Sequence, residues 1–244
     1  MEHELWVTAL FNDAFAGIGN GILNAIGRPA ADHAHPWSNW MVMQLVVVVG
    51  MLLFFGWLKS RLSVDRPGKV QHCFEIVYTF LKAQADEVVG DTSKRYMAFF
   101  GAIFFFVLFM NLIGLIPSLE SPTMFPVVTC GLAVVTFFYY HAMGLKANGL
   151  GGYFKQFMGP VLILAPIMVP IEMVSHLARP LSLTIRLYAN MFAGEQITDT
   201  FLKLTHLIVP AVFMGLHVFV SFLQAYIFAL LAMVYVGGAV AHEH

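Results

Sequence analysis

One apolar segment, Pro170–Gln196, carries more ionisable side chains than a lipid bilayer tolerates. It is long enough to cross a membrane, for which about 20 residues suffice. Its polar and charged side chains are Glu172, His176, Arg179, Arg186, Asn190 and Glu195. Each charge at bilayer depth costs roughly 3 kcal/mol, whereas each apolar residue contributes only about 0.3–0.6 kcal/mol. We therefore expect these polar groups to face protein or water, and such a residue set predicts a functional site.

These side chains recur at the spacing of an α-helix. At about 100° per residue, most of them fall within a sector of roughly 80° on one helix face. The members of this stripe are Glu172, His176, Arg179, Arg186 and Asn190. Glu195 lies well off the stripe, so we expect the helix to rotate or bend there, or to have a second polar neighbour. A stripe that merely packs one helix on another is the simpler interpretation, but such packing rarely needs two arginines.

The composition places this segment in an integral membrane protein. Of the 244 residues, 59% are hydrophobic and only 11% are charged, and the mean hydropathy is +0.77. Such values are typical of membrane proteins rather than soluble domains. Cys73 and Cys130 stand apart, without metal-binding or redox spacing. There is no basic patch for a nucleic acid and no phosphate-loop or hydrolase motif, so we expect no nucleic-acid partner, no cofactor and no metal.

Hydropathy predicts an all-α membrane protein with about five membrane-spanning helices plus an amphipathic interfacial helix, in one domain overall. The predicted segments are an external arm (1–37), a span (38–58), a cytoplasmic segment with the interfacial helix (59–95), a two-span hairpin (96–145), a Gly-rich cytoplasmic loop (146–158) and a long, tilted polar hairpin (159–241). Within the arm, residues 5–26 are expected to form a short interfacial helix. Within the last hairpin, residues 201–205 are expected to be a tight turn.

The distribution of Lys and Arg predicts the orientation of the spans. The segments 59–95 and 146–158 contain seven and two of these residues, whereas the N-terminal arm and residues 199–205 contain one each and 118–123 none. Because cytoplasmic loops are enriched in positive charge, the N-terminus is expected outside and the C-terminus inside. No internal repeat is apparent, which argues against transporters built from inverted repeats.

The last helix carries a second polar stripe, within roughly 60°. Its members are His206, His217, Ser221, Gln224 and Tyr235. An antiparallel hairpin that turns near Lys203 would bring Gln224 close to Arg186 and His217 close to Glu195. A glutamate and a histidine side by side can exchange protons near neutral pH; a static hydrogen-bonded pair that locks two helices is the alternative.

Arg186 has no obvious counter-charge in its own chain. Along a helix, Glu195 lies about 13 Å away and Glu172 about 21 Å away. Arginine does not deprotonate in proteins. We therefore expect the missing anion to come from a partner chain with a carboxylate inside the membrane.

Two runs of sequence resemble subunit a of the rotary proton-translocating ATP synthase. They are RPLSLTIRLYANMFAGEQI (residues 179–197) and HVFVSFLQAYIF (residues 217–228), with further likeness at RPGKVQ (66–71), NLIGLIP (111–117) and AHEH (241–244). The resemblance covers most of the chain from Trp40 onward. It implies a stator without a catalytic site of its own, in the bacterial plasma (inner) membrane. The implied partners are a ring of c subunits with a membrane carboxylate, a b-type peripheral stalk and, through the complex, the catalytic head.

The resemblance also implies roles for individual residues. Arg186 would be the essential cation that separates two proton half-channels and attracts the passing carboxylate. The positions matched to the outer half-channel are Glu195, His217, Asn190 and Gln224. The position matched to the inner half-channel is Glu172, and spacing alone adds His176, one helical turn away.

A self-contained proton- or sodium-coupled transporter is the alternative function, although no repeat or substrate pocket is visible in the sequence. An intramembrane metal hydrolase would need clustered metal ligands, and the histidines of this chain lack that spacing.

Overall fold

The chain folds almost entirely into α-helices. The computed structural model describes residues 4–27, 33–63, 67–116, 118–158, 165–204 and 208–240. Its helices are α1 (Trp6–Ala25), α2 (Asn39–Ser60), α3 (Lys69–Val89), α4 (Met97–Leu112), α5 (Pro126–Met158), α6 (Ala165–Leu204) and α7 (Ile208–Val240), with short 3-10 turns at Gly90–Arg95, Ile113–Leu115 and Pro122–Met124. No strand occurs in these described ranges. The predicted all-α membrane class is confirmed.

Four helices within the described ranges are long and apolar enough to cross a membrane. They comprise Asn39–Ser60, Met97–Leu115, Pro126–Tyr153 and Ala211–Val240. Helix α2 exposes large apolar side chains of the kind that face lipid, since Leu52 and Leu53 are about 70% exposed. Helix α6, with 40 residues, is long enough to cross but carries the ionisable stripe. Five spans thus remain a prediction that depends on α6.

The core lies where α7 packs between α3, α4, α5 and α6. On α7, Ala225, Ala229 and Ala232 are fully buried. Small residues at this spacing allow neighbouring helices to approach closely, as is common in membrane proteins. Larger side chains of α4, including Phe100 and Phe104, fill the remaining space. Helix α6 joins this core through one buried face, formed by Leu183, Leu187 and Met191.

The predicted helices at residues 5–26 and after Pro67–Gly68 are present as α1 and α3. Helix α3 is fixed to the core near its C-terminal end, where the Tyr226 hydroxyl donates to Oε1 of Gln84 at 3.1 Å. At Gly237 of α7, a β-carbon would lie only 2.9 Å from the carbonyl oxygen of Val88. The glycine therefore permits the close approach of α3 to α7.

Two expected loop segments are helical instead. Residues 146–158, expected to form a loop, continue α5, which is kinked at Gly149 with φ 68° and ψ 171°. The glycines of this segment favoured a loop, but a single non-helical residue interrupts the helix. Residues 201–204, expected to be a turn, extend α6, where Lys203 and Asp199 form an ion pair of 2.6 Å one turn apart. The rest of that expected turn, Thr205, lies outside the described residues, as does His206.

Candidate functional site

Helix α6 carries all the ionisable side chains of the predicted stripe on one continuous element. Pro170 and Pro180 lie inside it. A proline in a helix leaves a backbone carbonyl without its usual donor. The Thr184 hydroxyl donates to the Pro180 carbonyl at 2.8 Å, which adds a local contact in this weakened stretch. The helix continues past both prolines and fixes the order of Glu172, Arg186 and Glu195 along one axis.

A cavity of about 410 Å³ lies at one end of this axis and is lined by Glu195 and His217. Oε1 of Glu195 accepts a hydrogen bond of 3.3 Å from the backbone N–H of Ser121. The other carboxyl oxygen, Oε2, is buried and has no hydrogen-bond partner among the described residues. Glu120 and Asp199 line the same cavity, so three acidic side chains contribute to its wall. We refer to this space as the Glu195 cavity.

His217 enters the Glu195 cavity from α7, as the antiparallel register predicts. Its side chain is buried beside Gly194, where a β-carbon would lie 3.4 Å from Nδ1 of the imidazole. Nε2 of His217 is also buried and lacks a partner among the described residues. The two side chains thus share one cavity, while the hydrogen bond seen at Glu195 goes to Ser121 rather than to His217. Both retain a buried polar atom free for water or a proton.

A buried polar network continues from Ser121, and sequence reasoning did not identify it. The Ser121 hydroxyl donates to the Met110 carbonyl at 2.8 Å and lies 2.7 Å from the Thr123 hydroxyl. Thr123 donates to Oδ1 of Asn111 at 2.7 Å, and Nδ2 of Asn111 approaches the Ser221 carbonyl at 3.4 Å. The only sequence feature that pointed to this network is Asn111, a polar residue near the end of an otherwise apolar span. The network connects α4, the loop after it and α7 behind Glu195.

A second cavity, of about 330 Å³, lies at the other end of the axis; we call it the Glu172 cavity. Glu172, His176 and Arg179 line it from α6, and Tyr153 and Tyr235 line it from α5 and α7. Nε2 of His176 lies 3.9 Å from Oε2 of Glu172. The guanidinium carbon of Arg179 sits 5.1 Å from the centre of the Tyr235 ring, in a cation–π contact. Arg179, unlike Arg186, is therefore held by an aromatic ring of the chain itself.

Arg186 lies between the two cavities on an exposed face of α6. Its neighbours along the sequence, Ile185 and Leu181, are 54% and 61% exposed. Across the described part of the chain, Arg186 makes no hydrogen bond or ion pair. Asn190 is exposed one turn further along, whereas Gln224 is buried on α7. The expected hydrogen bond between Gln224 and Arg186 is not among the contacts of these described side chains.

No metal centre is formed in the described ranges, where no three His, Cys, Asp or Glu side chains converge. The candidate site consists of the Glu195 cavity and the Glu172 cavity, with the exposed side chain of Arg186 between them. Glu172 and Glu195 are 23 residues apart, which corresponds to about 35 Å of α-helix. That distance is close to the thickness of a bilayer hydrocarbon core, about 30 Å.

Comparison with known proteins gives a consistent result. The family described as ATP synthase A chain matches residues 40–237. "ATP synthase subunit a" of Solibacter usitatus (strain Ellin6076) is 61% identical over 235 residues, which cover 96% of this chain and 100% of the relative. The protein of the same name from Koribacter versatilis (strain Ellin345) is 46% identical over 244 residues and the full length of both chains. "ATP synthase subunit a" of Sulfurihydrogenibium sp. (strain YO3AOP1) is 40% identical, over 84% of this chain and 98% of the relative.

Proposed function

The chain belongs to the ATP synthase A chain family, and from that premise we propose that it supplies two proton half-channels and the cation that couples proton flow to rotation of a c-ring. Family membership makes it a multi-pass bacterial membrane protein and a component of the membrane sector of the ATP synthase. Our proposal concerns how its own residues perform that task. The observation that carries it is the exposed position of Arg186 between two polar cavities, where it makes no ion pair with any described residue.

The Glu195 cavity is the outer half-channel in this proposal. Glu195 and His217 accept protons from water on the outer side and pass them along the axis of α6 towards Asn190. Oε2 of Glu195 and Nε2 of His217, which are buried without a hydrogen-bond partner among the described residues, suit this role because each can bind a water molecule or a proton. A carboxyl–imidazole pair favours protons over sodium ions, which need several oxygen ligands. The Glu172 cavity, with Glu172 and His176, is the inner half-channel.

Arg186 separates the two half-channels. Its surroundings on α6 form an exposed apolar surface, which includes Leu181 and Ile185 at 61% and 54% exposure. An intramembrane cation in such a surface is complementary to an apolar partner that carries a carboxylate, such as each subunit of a c-ring. An opposite charge within about 4–6 Å stabilises the ionised carboxylate. A protonated carboxyl group therefore releases its proton to the half-channel on reaching Arg186 and becomes a carboxylate, and Arg186 itself cannot relay a proton to the other side.

The remaining partners and the orientation follow from the same proposal. A b-type peripheral stalk holds the chain still against the rotating c-ring, and the catalytic head is coupled to it through the rest of the complex. The N-terminus faces outward and the C-terminus faces the cytoplasm, in keeping with the excess of Lys and Arg in residues 59–95.

Substitution of Arg186 tests the proposal. We expect Arg186→Ala to abolish ATP-driven proton pumping and ATP synthesis and to leave a passive proton leak, because the cation no longer separates the half-channels. Arg186→Lys should fail as well, since a desolvated lysine can deprotonate and lacks the planar guanidinium. The measurement is proton flux through reconstituted membrane sectors, with and without the catalytic head.

Arg61→Ala is the matched control. This arginine is exposed just beyond the end of α2, with its guanidinium carbon 5.4 Å from the centre of the Trp57 ring, and its loss should leave pumping at the wild-type rate. Appreciable pumping by Arg186→Ala would show that the role proposed for Arg186 is wrong.

A further inference from the structure

A cluster of aromatic and imidazole rings contains His176, which lines the Glu172 cavity. Tyr140 and His141 come from adjacent positions of α5, and His176 comes from α6. The centres of the His141 and His176 rings are 5.1 Å apart, and those of Tyr140 and His176 are 5.8 Å apart. Tyr140 is 1% exposed, so its side chain is shielded from bulk solvent. The three rings form one packed unit between the two helices.

The two ring nitrogens of His176 have different neighbours. Nδ1 is hydrogen-bonded to the Tyr140 hydroxyl at 2.9 Å, whereas Nε2 lies 3.9 Å from Oε2 of Glu172. A hydrogen bond at one nitrogen of a histidine fixes the ring orientation and the tautomer, and thereby decides which nitrogen can accept a proton. Tyr140 therefore directs Nε2 of His176 towards Glu172. One bridging water or a small side-chain rotation closes the remaining distance.

A second phenol–imidazole pair supports the first. Nδ1 of His141 lies 2.6 Å from the Tyr153 hydroxyl, and Nε2 of His141 is buried without a partner in the described part of the chain. Tyr153 reaches this position because α5 is kinked at Gly149. At Gly144, a β-carbon would lie 2.5 Å from the Tyr153 ring. A glycine is thus required for this arrangement, which holds His141 against His176.

We propose that His176 exchanges protons with Glu172 and that Tyr140 is the positioning residue of this relay; the inference rests on the proposed function of the Glu172 cavity. A proton on the Glu172 carboxyl group transfers to Nε2 of the neutral His176 ring, which leaves a carboxylate and an imidazolium. The reverse transfer restores both groups. Nδ1–H donates to the Tyr140 oxygen in both states, so this hydrogen bond is kept throughout. The inner pathway is then a carboxyl–imidazole relay rather than a single carboxyl group.

Chemical rescue at His176 tests the relay directly. We expect His176→Ala to lower passive proton conductance of assembled, head-free membrane sectors by about a hundred-fold, the lower end of the effect of losing a proton-transfer group. Added imidazole should restore conductance in a saturable manner, because the truncation leaves space next to a cavity of about 330 Å³. His72→Ala, which removes an exposed histidine of α3, should conduct like the wild type with and without imidazole. A purely structural role of His176 would not respond to imidazole.

The role of Tyr140 is tested by removing one oxygen atom. Tyr140→Phe keeps the ring contacts but loses the hydrogen bond to His176, and we expect conductance to fall about five-fold, the equivalent of one hydrogen bond of about 1 kcal/mol. The matched control is Tyr139→Phe, because Tyr139 stacks on Phe99 with ring centres 3.6 Å apart and lies outside the cluster. Equal conductance in these two variants would overturn the positioning role.

The two proposals can fail separately. Arg186→Ala is measured in the same membrane sectors after the catalytic head has been rebound, and continued ATP-driven pumping by that variant contradicts the proposed function. If Arg186→Ala behaves as expected but His176→Ala conducts like the wild type, or imidazole restores nothing, the relay alone is wrong. Should His176→Ala not assemble, His176→Gln takes its place. It keeps a partner for Tyr140 but cannot carry a proton, so wild-type conductance in that variant would again overturn the relay.

Discussion

At the scale of single residues, one oxygen of the Glu195 carboxyl group accepts a hydrogen bond from the backbone, whereas the other oxygen lacks a hydrogen-bond partner among the described residues. Ser121 N–H binds Oε1, while Oε2 is buried without a partner in the described residues. A buried polar atom without a hydrogen bond costs roughly 1–3 kcal/mol. Such a cost is common at functional sites, where a transient ligand supplies the missing bond. Water or a proton is the fitting ligand here.

Removal of the Glu195 carboxyl group should uncouple the outer pathway. We expect Glu195→Leu to lower proton-driven ATP synthesis by about ten-fold or more, because a proton carrier is lost. Assembly should persist, since leucine suits the partly apolar cavity. Proton-driven ATP synthesis in inverted vesicles and the amount of assembled complex are measured together. Glu87→Leu, at an exposed position of α3, is the control; equal activity in both variants would contradict the assignment.

Exchange of the two partners separates a joint site from two independent ones. Glu195 and His217 line the same cavity from antiparallel helices. A double variant, Glu195→His with His217→Glu, keeps one carboxyl and one imidazole group in that space. It should therefore support more ATP synthesis than either single substitution. A double variant no better than the worse single one would show that the two residues act separately.

At the scale of helices, periodicity and hydropathy predicted the elements well, because both depend on local sequence. The stripe on α6 and the shared cavity of Glu195 and His217 follow from helical spacing and the antiparallel arrangement of α6 and α7. The Ser121–Thr123–Asn111 network and the Tyr140–His176 pair could not be found in this way. They depend on how α4 packs against α7 and α5 against α6, and sequence spacing carries no information on that packing.

The Gly149 kink shows why a glycine-rich stretch was mistaken for a loop. Backbone angles of φ 68° and ψ 171° lie in a region that is essentially restricted to glycine. We expect Gly149→Ala to destabilise the protein by about 1–3 kcal/mol, through backbone strain alone, because nothing lies within 4 Å of the added β-carbon. Gly151→Ala, also in open space but without a positive φ, should be neutral or slightly stabilising. Thermal unfolding in detergent compares the two, and equal midpoints would refute this account.

At the scale of the whole molecule, the exposed surfaces differ in character. Helix α2 exposes only apolar side chains along its centre, as expected for contact with lipid. The exposed face of α6 contains Arg186 among Leu181 and Ile185. Because an arginine without a counter-charge is costly inside a bilayer, we expect this second surface to face a partner rather than lipid.

Whether α6 crosses the membrane decides the topology of the whole chain. The four helices that meet the length and hydropathy criteria would, by themselves, return both termini to one side. With α6 as a fifth span, the termini lie on opposite sides. Because residues 59–95 hold seven of the Lys and Arg residues, we expect the N-terminus outside and the C-terminus inside.

Cysteine labelling distinguishes the two topologies. Cys73 and Cys130 are exposed and are first replaced by serine. A membrane-impermeant thiol reagent should then label Asp32→Cys only from the outer side and His244→Cys only from the cytoplasmic side. Glu120→Cys, in the short loop between α4 and α5, should follow Asp32→Cys, since that loop lies two spans further along. Labelling of Asp32→Cys and His244→Cys from the same face would mean an even number of crossings. In that case α6 could not carry Arg186 across the bilayer, and the separation of two half-channels along its axis would fail with it.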